Sequence, residues 1–219
     1  MKPSTQLVAA LRALIETVRT SDLDQAQANG VDLADLAAHV ESHTRALAPY
    51  TVDAVRTQIG LRHEVARVDP GRLRSFADGE VLDFFPHSPI TGELNPVAPP
   101  MKMWRDGSTV RGSGRIPTAL NGPPAAVHGG FVAAVLDELL GMAAVVAGIG
   151  GFTGTLTVRY LKPTPIGAAL DLAARVESSE GRKVTVTGEI SADGPEGKYV
   201  CATAEAIFIR PTDLATKSG

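Results

Sequence analysis

Residues 121–147 read Asn121-Gly-Pro-Pro-Ala-Ala-Val-His128-Gly129-Gly130-Phe-Val-Ala-Ala-Val-Leu-Asp137-Glu138-Leu-Leu-Gly-Met-Ala-Ala-Val-Val-Ala147. The stretch 130–147 is too long for a strand and apolar on every side, which marks a buried helix. Gly148 to Gly151 stop it. Gly129 and Gly130 stand at its mouth, where the missing Cβ atoms let another group approach the backbone closely. The first helical N–H groups have no intrahelical partner. With the helix dipole they form a site for an anion or a developing oxyanion. The same two glycines would equally ease a tight junction between loop and helix.

Asp137 shifts the balance toward the first of these readings. An ionised carboxylate inside an apolar helix is costly unless it is paired or functional. Seven steps of 100° bring Asp137 to within about 20° of the Gly130 face, with Glu138 rotated about 80–100° away toward solvent or a sheet edge. Seven residues also span about 10 Å. An oxyanion donor and a base serving one carbonyl must each lie within about 3 Å of the reacting atoms. One helix cannot do both. Two helices running antiparallel across a two-fold axis can, so the spacing points to a site shared between subunits.

Working outward, the chain after this helix reads as strands. Residues 152–160 alternate, with Phe152, Leu156, Val158 and Tyr160 on one face and Thr153, Thr155, Thr157 and Arg159 on the other. Residues 170–176 and 184–190 alternate as well, as antiparallel strands with one wet face do. Residues 199–209 are apolar on both faces, which places them centrally. Glu180-Gly181 and Asp193 to Gly197 fit hairpin turns. The four strands read as a meander. Before the helix, residues 81–85, 102–105 and 110–116 are short strand candidates, with a turn at Asp106-Gly107. The segment from Pro86 to Pro100 holds prolines at 86, 89, 96, 99 and 100, so it is an ordered loop rather than helix or central strand. One apolar helix with a sheet around it is an α+β arrangement.

The N-terminal third is helical. Leu7, Val8, Leu11, Leu14, Ile15 and Val18 follow one 3.6-residue stripe, and Leu33, Leu36, Ala37, Val40 and Leu47 follow another, N-capped by Asp32 and ended by Pro49. A weaker helical stretch covers residues 52–59. The expected division is a helical extension over 1–63, the main domain over 64–211 and a loose tail over 212–219.

The whole chain has 219 residues, 44% hydrophobic and 21% charged, with 21 Lys and Arg against 24 Asp and Glu, a net charge of −3. That balance excludes a broad nucleic-acid footprint, which needs a strongly basic face. The single cysteine, Cys201, excludes an internal disulfide and a cysteine metal cluster and suits a reducing compartment. Arg12 and Glu16 interrupt the first apolar stretch, and Asp137 and Glu138 break the longest one, so neither a secretory signal nor a membrane span is expected. The expected location is cytoplasmic. His39 and His43 read as a surface pair, and Cys201 as inert packing. No P-loop, dinucleotide glycine fingerprint or G-x-S-x-G elbow is present.

His128-Gly129-Gly130 with Asp137 nine residues after His128, followed by Thr153-Gly-Thr-Leu-Thr-Val-Arg-Tyr-Leu-Lys-Pro-Thr-Pro165, resembles the hotdog-fold acyl-CoA thioesterases. The likeness is to the group of the phenylacetate-pathway and thioesterase-superfamily-member-4 type, and covers about residues 80 to 210. It implies a hotdog fold, an antiparallel sheet wrapped around one long helix, here with the N-terminal helices added. It implies a homo-oligomer, a dimer or dimer of dimers, with sites at the interface, acyl-CoA as substrate, a place in lipid metabolism, and no cofactor or metal. By the resemblance, Asp137 is base or nucleophile and the Gly130 N–H polarises the thioester carbonyl. His128 supports the carbonyl or the loop, Thr153 positions water and Asn121 contributes ahead of the glycines. Gly129 borders the substrate. The anionic end of CoA calls for a local basic rim, for which Arg159 with Lys162 and Arg182 with Lys183 are the candidates. Two other readings compete: hydration or dehydration of acyl thioesters, and a non-catalytic acyl-CoA-binding or scaffold protein. The first relies on an Asp–His pair on the helix, and residues 129–147 hold no histidine.

Overall fold

In the computed structural model, which describes residues 2–51, 77–82, 85–148 and 151–210, the N-terminal region forms α1 (Pro3–Thr20), α2 (Leu23–Ala28) and α3 (Leu33–Leu47). Pro3 sits in the first turn of α1, where its missing N–H costs nothing. The Asp32 carboxylate accepts from the Asp35 N–H at 3.0 Å, which makes it the cap of α3 expected from sequence. The candidate helix at 52–59 and the tail at 212–219 lie outside the described residues.

The main domain holds β1 (Met101–Asp106), β2 (Thr109–Gly114), α4 (Gly129–Val146), β3 (Phe152–Tyr160), β4 (Leu170–Glu180), β5 (Lys183–Gly194) and β6 (Gly197–Ile209). The strands form one antiparallel sheet in the order β1-β2-β4-β5-β6-β3. It wraps α4, ten of whose residues are buried, among them Val132, Val135, Leu136, Leu139 and Leu140. From the sheet, Leu172, Val184, Val186, Ile190, Ala202 and Phe208 meet them in one core. Each fully buried Leu, Ile or Val contributes about 1.5–3 kcal/mol by leaving water. The helix is apolar and long enough to cross a membrane; here its apolar surface faces its own sheet.

Three sequence expectations change. The four strands after α4 are not a simple meander: β4, β5 and β6 are, but β3 pairs with β6 and becomes an edge. The free side of β4 is already taken by β2, so the outer side of β6 is the place left for β3. The strand candidate at 81–85 reduces to a single bridge between Val81 and Trp104, residues 83 and 84 lying outside the described part. The third change concerns the faces of β3. Antiparallel partners directly opposite one another share a face. Thr153 lies opposite Phe208, Leu156 opposite Ala206, Val158 opposite Ala204 and Tyr160 opposite Ala202. All four partners are buried against α4. Thr153 therefore faces the helix with Leu156, Val158 and Tyr160, while Phe152 faces away with Thr155, Thr157 and Arg159. The register shifts between Thr153 and Thr155, and Gly154 is the extra residue of a β-bulge. A Cβ on Gly154 would lie 2.8 Å from Ile209 Cγ1.

Candidate active site

The outward face of α4 carries Gly130, Ala133, Ala134, Asp137 and Gly141, none of them buried, so Gly130 and Asp137 share a face as the helical spacing requires. The bulge aims Thr153 at this face, where its hydroxyl donates to Asp137 Oδ1 at 2.9 Å. A carboxylate with a hydroxyl on one oxygen keeps its remaining lone pairs for a water or a substrate.

At the helix mouth, His128 is the N-cap. Its Nδ1 accepts the Gly130 N–H at 3.1 Å, so the ring carries its proton on Nε2. The Gly130 donor, expected to be open, is thus held by the imidazole, and an incoming oxyanion must take the place of Nδ1. The Gly129 N–H has no hydrogen-bond partner among the described residues. Tyr160 donates its hydroxyl to the Gly129 carbonyl at 2.9 Å and stacks its ring within 3.6 Å of where a Gly129 Cβ would lie. Sequence reasoning missed Tyr160. Its inward position on β3 was a usable signal, but only the fold shows that the strand returns to the helix mouth.

Asn121 borders the mouth across an antiparallel bridge to Val127, and Leu120 accepts the His128 N–H at 3.0 Å. Ala119, Leu120, Asn121, His128, Gly130 and Phe131 line a cavity of about 420 Å³. Asn121 therefore does join His128 and Gly130, while Thr153 and Asp137 lie farther along the helix. Arg159 and Lys162 are exposed near the Tyr160 end of β3, and the Lys162 ammonium lies 4.9 Å from the centre of the Tyr199 ring. Arg182 and Lys183 lie at the opposite end, since Lys183 pairs with Ile209, which pairs with Phe152. One protomer does not gather the two basic pairs. Arg182 also donates its Nε–H to the Arg210 carbonyl at 2.9 Å. Among the described residues, no three His, Cys, Asp or Glu side chains could hold a metal ion.

Glu138 departs from expectation. It turns neither to solvent nor to a sheet edge, but under the proline-rich loop, where its carboxylate accepts from the Thr91 hydroxyl. Burial pushes its pKa up, hydrogen bonds from Thr91 and Ser88 pull it down, and neighbouring Asp137 pushes it up again, for a net rise. A carboxyl group whose pKa rises on folding stabilises the protein below the unfolded value of about 4.3 and loses that contribution as pH rises through the folded value. Glu138→Gln keeps an acceptor for Thr91 and removes the ionisation. The variant should melt higher than the wild type at pH 7, with the gap closing as the pH falls to about 4. A gap independent of pH would show that Glu138 carries no ionisation cost.

An antiparallel sheet curled around one long helix, with a glycine-lined helix mouth and a carboxylate two turns on, defines a hotdog-fold domain. Residues 125–198 match the family model of the thioesterase superfamily. It is similar to acyl-coenzyme A thioesterase THEM4 of Xenopus laevis, 37% identical over 92 residues, or 42% of this chain and 41% of that protein. It is 29% identical to acyl-coenzyme A thioesterase THEM5 of Homo sapiens over 91 residues, 42% of this chain and 36% of that one. The chain thus spans less than half the length of these curated relatives. The crystal structure of a thioesterase superfamily protein superposes with a TM-score of 0.71 at 25% identity, covering 95% of both chains. That coverage leaves no room to exclude α1 to α3 from the shared structure.

Proposed function

We propose that this protein hydrolyses acyl-CoA thioesters to the free acid and CoA, at a site that two copies of the chain complete together. The observation that carries the reading is the Asp137–Thr153 pair at 2.9 Å on an unpaired sheet edge. In the reaction Asp137 takes a proton from a water held with the help of Thr153, and the oxygen attacks the thioester carbonyl. The tetrahedral oxyanion is met by N–H groups at a helix mouth, and collapse expels the CoA thiolate, which is reprotonated. Alternatively the Asp137 carboxylate attacks directly and water then hydrolyses the mixed anhydride. Either route consumes one water and yields one acid and one thiol.

The edge supports the two-copy arrangement. Along β3, Phe152 is 71% exposed and Tyr160 55%, and Leu161 beyond it 58%. An exposed edge of this kind invites another strand. Antiparallel pairing of β3 with its own copy about a two-fold axis sets the start of each strand against the end of the other. Thr153 with Asp137 then approaches the Tyr160 end of the second copy, where the Gly129–Gly130 mouth lies. This resolves the roughly 10 Å separation along one helix. The same pairing brings Arg182 and Lys183 of one copy toward Arg159 and Lys162 of the other, which fits a rim for the phosphates of CoA.

The test is complementation. Chains bearing Asp137→Ala and chains bearing Gly130→Pro should each be inactive on acyl-CoA. Mixed and allowed to exchange, they form heterodimers with one intact site, and thiol release should return. No recovery after verified exchange of folded subunits would overturn the shared site. The basic rim is tested separately. Exposed charge–phosphate contacts act mainly on binding and are screened by salt. Arg182→Ala with Lys183→Ala should raise KM for acyl-CoA severalfold with little change in kcat, and leave a pantetheine thioester nearly unaffected. Equal losses on both substrates would assign these residues to structure instead.

A further inference from the structure

Helix α1 docks on the main domain through three polar side chains spaced i, i+4 and i+7. The Arg12 guanidinium donates to the carbonyls of Gly92 at 2.7 Å and Asn95 at 2.9 Å, holding the proline-rich loop. Glu16 accepts the N–H groups of Thr118 and Ala119 at 2.8 and 2.7 Å, one on each carboxylate oxygen. Arg19 donates to Asn121 Oδ1 at 3.1 Å. Glu16 and Arg19 thus grip residues 118–121, the wall of the cavity at the helix mouth. From there the contacts run directly inward, since Leu120 accepts the His128 N–H and Asn121 bridges Val127.

The Arg19 contact fixes the Asn121 amide. A guanidinium offers only donors, so the atom facing it must be the amide oxygen. The Nδ2 group is thereby turned away from α1, and its two N–H donors have no hydrogen-bond partner among the described residues. Asn121 lines the same cavity as His128 and Gly130. We propose that α1 is part of the active site: Glu16 and Arg19 are positioning residues that set residues 118–121 and present the Asn121 Nδ2 donors to a carbonyl oxygen of the bound acyl thioester. The identity of the ligand rests on the thioesterase reading. The clamp itself does not.

Arg19 is exposed, so its removal leaves the core untouched. Arg19→Met frees the amide to flip and present an acceptor where a donor is needed. It should lower kcat/KM for acyl-CoA about five- to tenfold, the scale of one exposed, charge-assisted hydrogen bond, with the melting temperature unchanged. Arg19→Lys should restore most of the loss. Because Arg19 acts through Asn121, adding Arg19→Met to Asn121→Ala should cost nothing further. Additive losses, or activity of Arg19→Met within twofold of wild type, would overturn the proposal. Amide hydrogen exchange judges the clamp without turnover. Glu16→Gln leaves one acceptor for two N–H groups, so Thr118, Ala119 and His128 should exchange faster while the middle of α4 does not change. Unchanged exchange would overturn the clamp. A wild-type protein that cleaves no acyl-CoA, yet shows faster exchange in Glu16→Gln, would count against the thioesterase reading and leave the clamp standing.

Discussion

Asp137→Ala is expected to lower kcat on acyl-CoA by at least ~10²–10⁴-fold, the range that a general base contributes. The protein should remain folded and assembled, because Asp137 lies on the outward face of α4 and not in the core formed by Leu136, Leu139 and Leu140. Asp137→Asn is the sharper variant. It keeps the size of the side chain and an acceptor for Thr153 but can neither take a proton nor form an anhydride, and it should be as inactive as the alanine variant. Glu138, the next residue, is the control. Its carboxylate is tied to Thr91 under the loop, so Glu138→Gln should leave kcat within a few-fold of wild type while altering stability. Equal loss of activity at 137 and 138 would defeat the assignment by helix face.

Gly154→Val is expected to have the second-largest effect, about tenfold to hundredfold in kcat, on the scale of a catalytic group displaced by about 1 Å. Gly154 is the extra residue of the bulge, and a side chain there would meet Ile209 Cγ1 at 2.8 Å and the Ile207 carbonyl at 3.3 Å. Relief of that contact comes from shifting the start of β3. A shift of one residue turns Thr153 away from α4, because strand side chains alternate between faces. Two variants separate aim from chemistry. Thr153→Ala removes the hydroxyl without disturbing the register and should lose less, and Thr153→Ser, which keeps it, should be close to wild type. Wild-type kcat in Gly154→Val would show that the bulge does not aim Thr153.

Residue order alone determined the helix, its mouth and the face that carries Gly130 and Asp137. The run from 130 to 147 is apolar except for Asp137 and Glu138, and Gly130 and Asp137 fall on one side whatever surrounds them, because 3.6 residues per turn is a local property. The alternating strands 170–176 and 184–190 and the Asp32 cap were legible for the same reason, each depending on a few neighbouring residues. What the tertiary structure decided was everything set by pairing between distant segments. β3 joined β6 because β2 had already closed the far side of β4. The face of Thr153 depended on a one-residue bulge, where the crowding partner, Ile209, lies 55 positions away in sequence. Glu138 went under the loop because Thr91 waited there. The grip of α1 on Asn121 joins residues 102 positions apart. A hydrophobic period carries no record of which strand takes which edge, nor of which polar side chain meets which backbone, since those are settled by the packing of the whole domain.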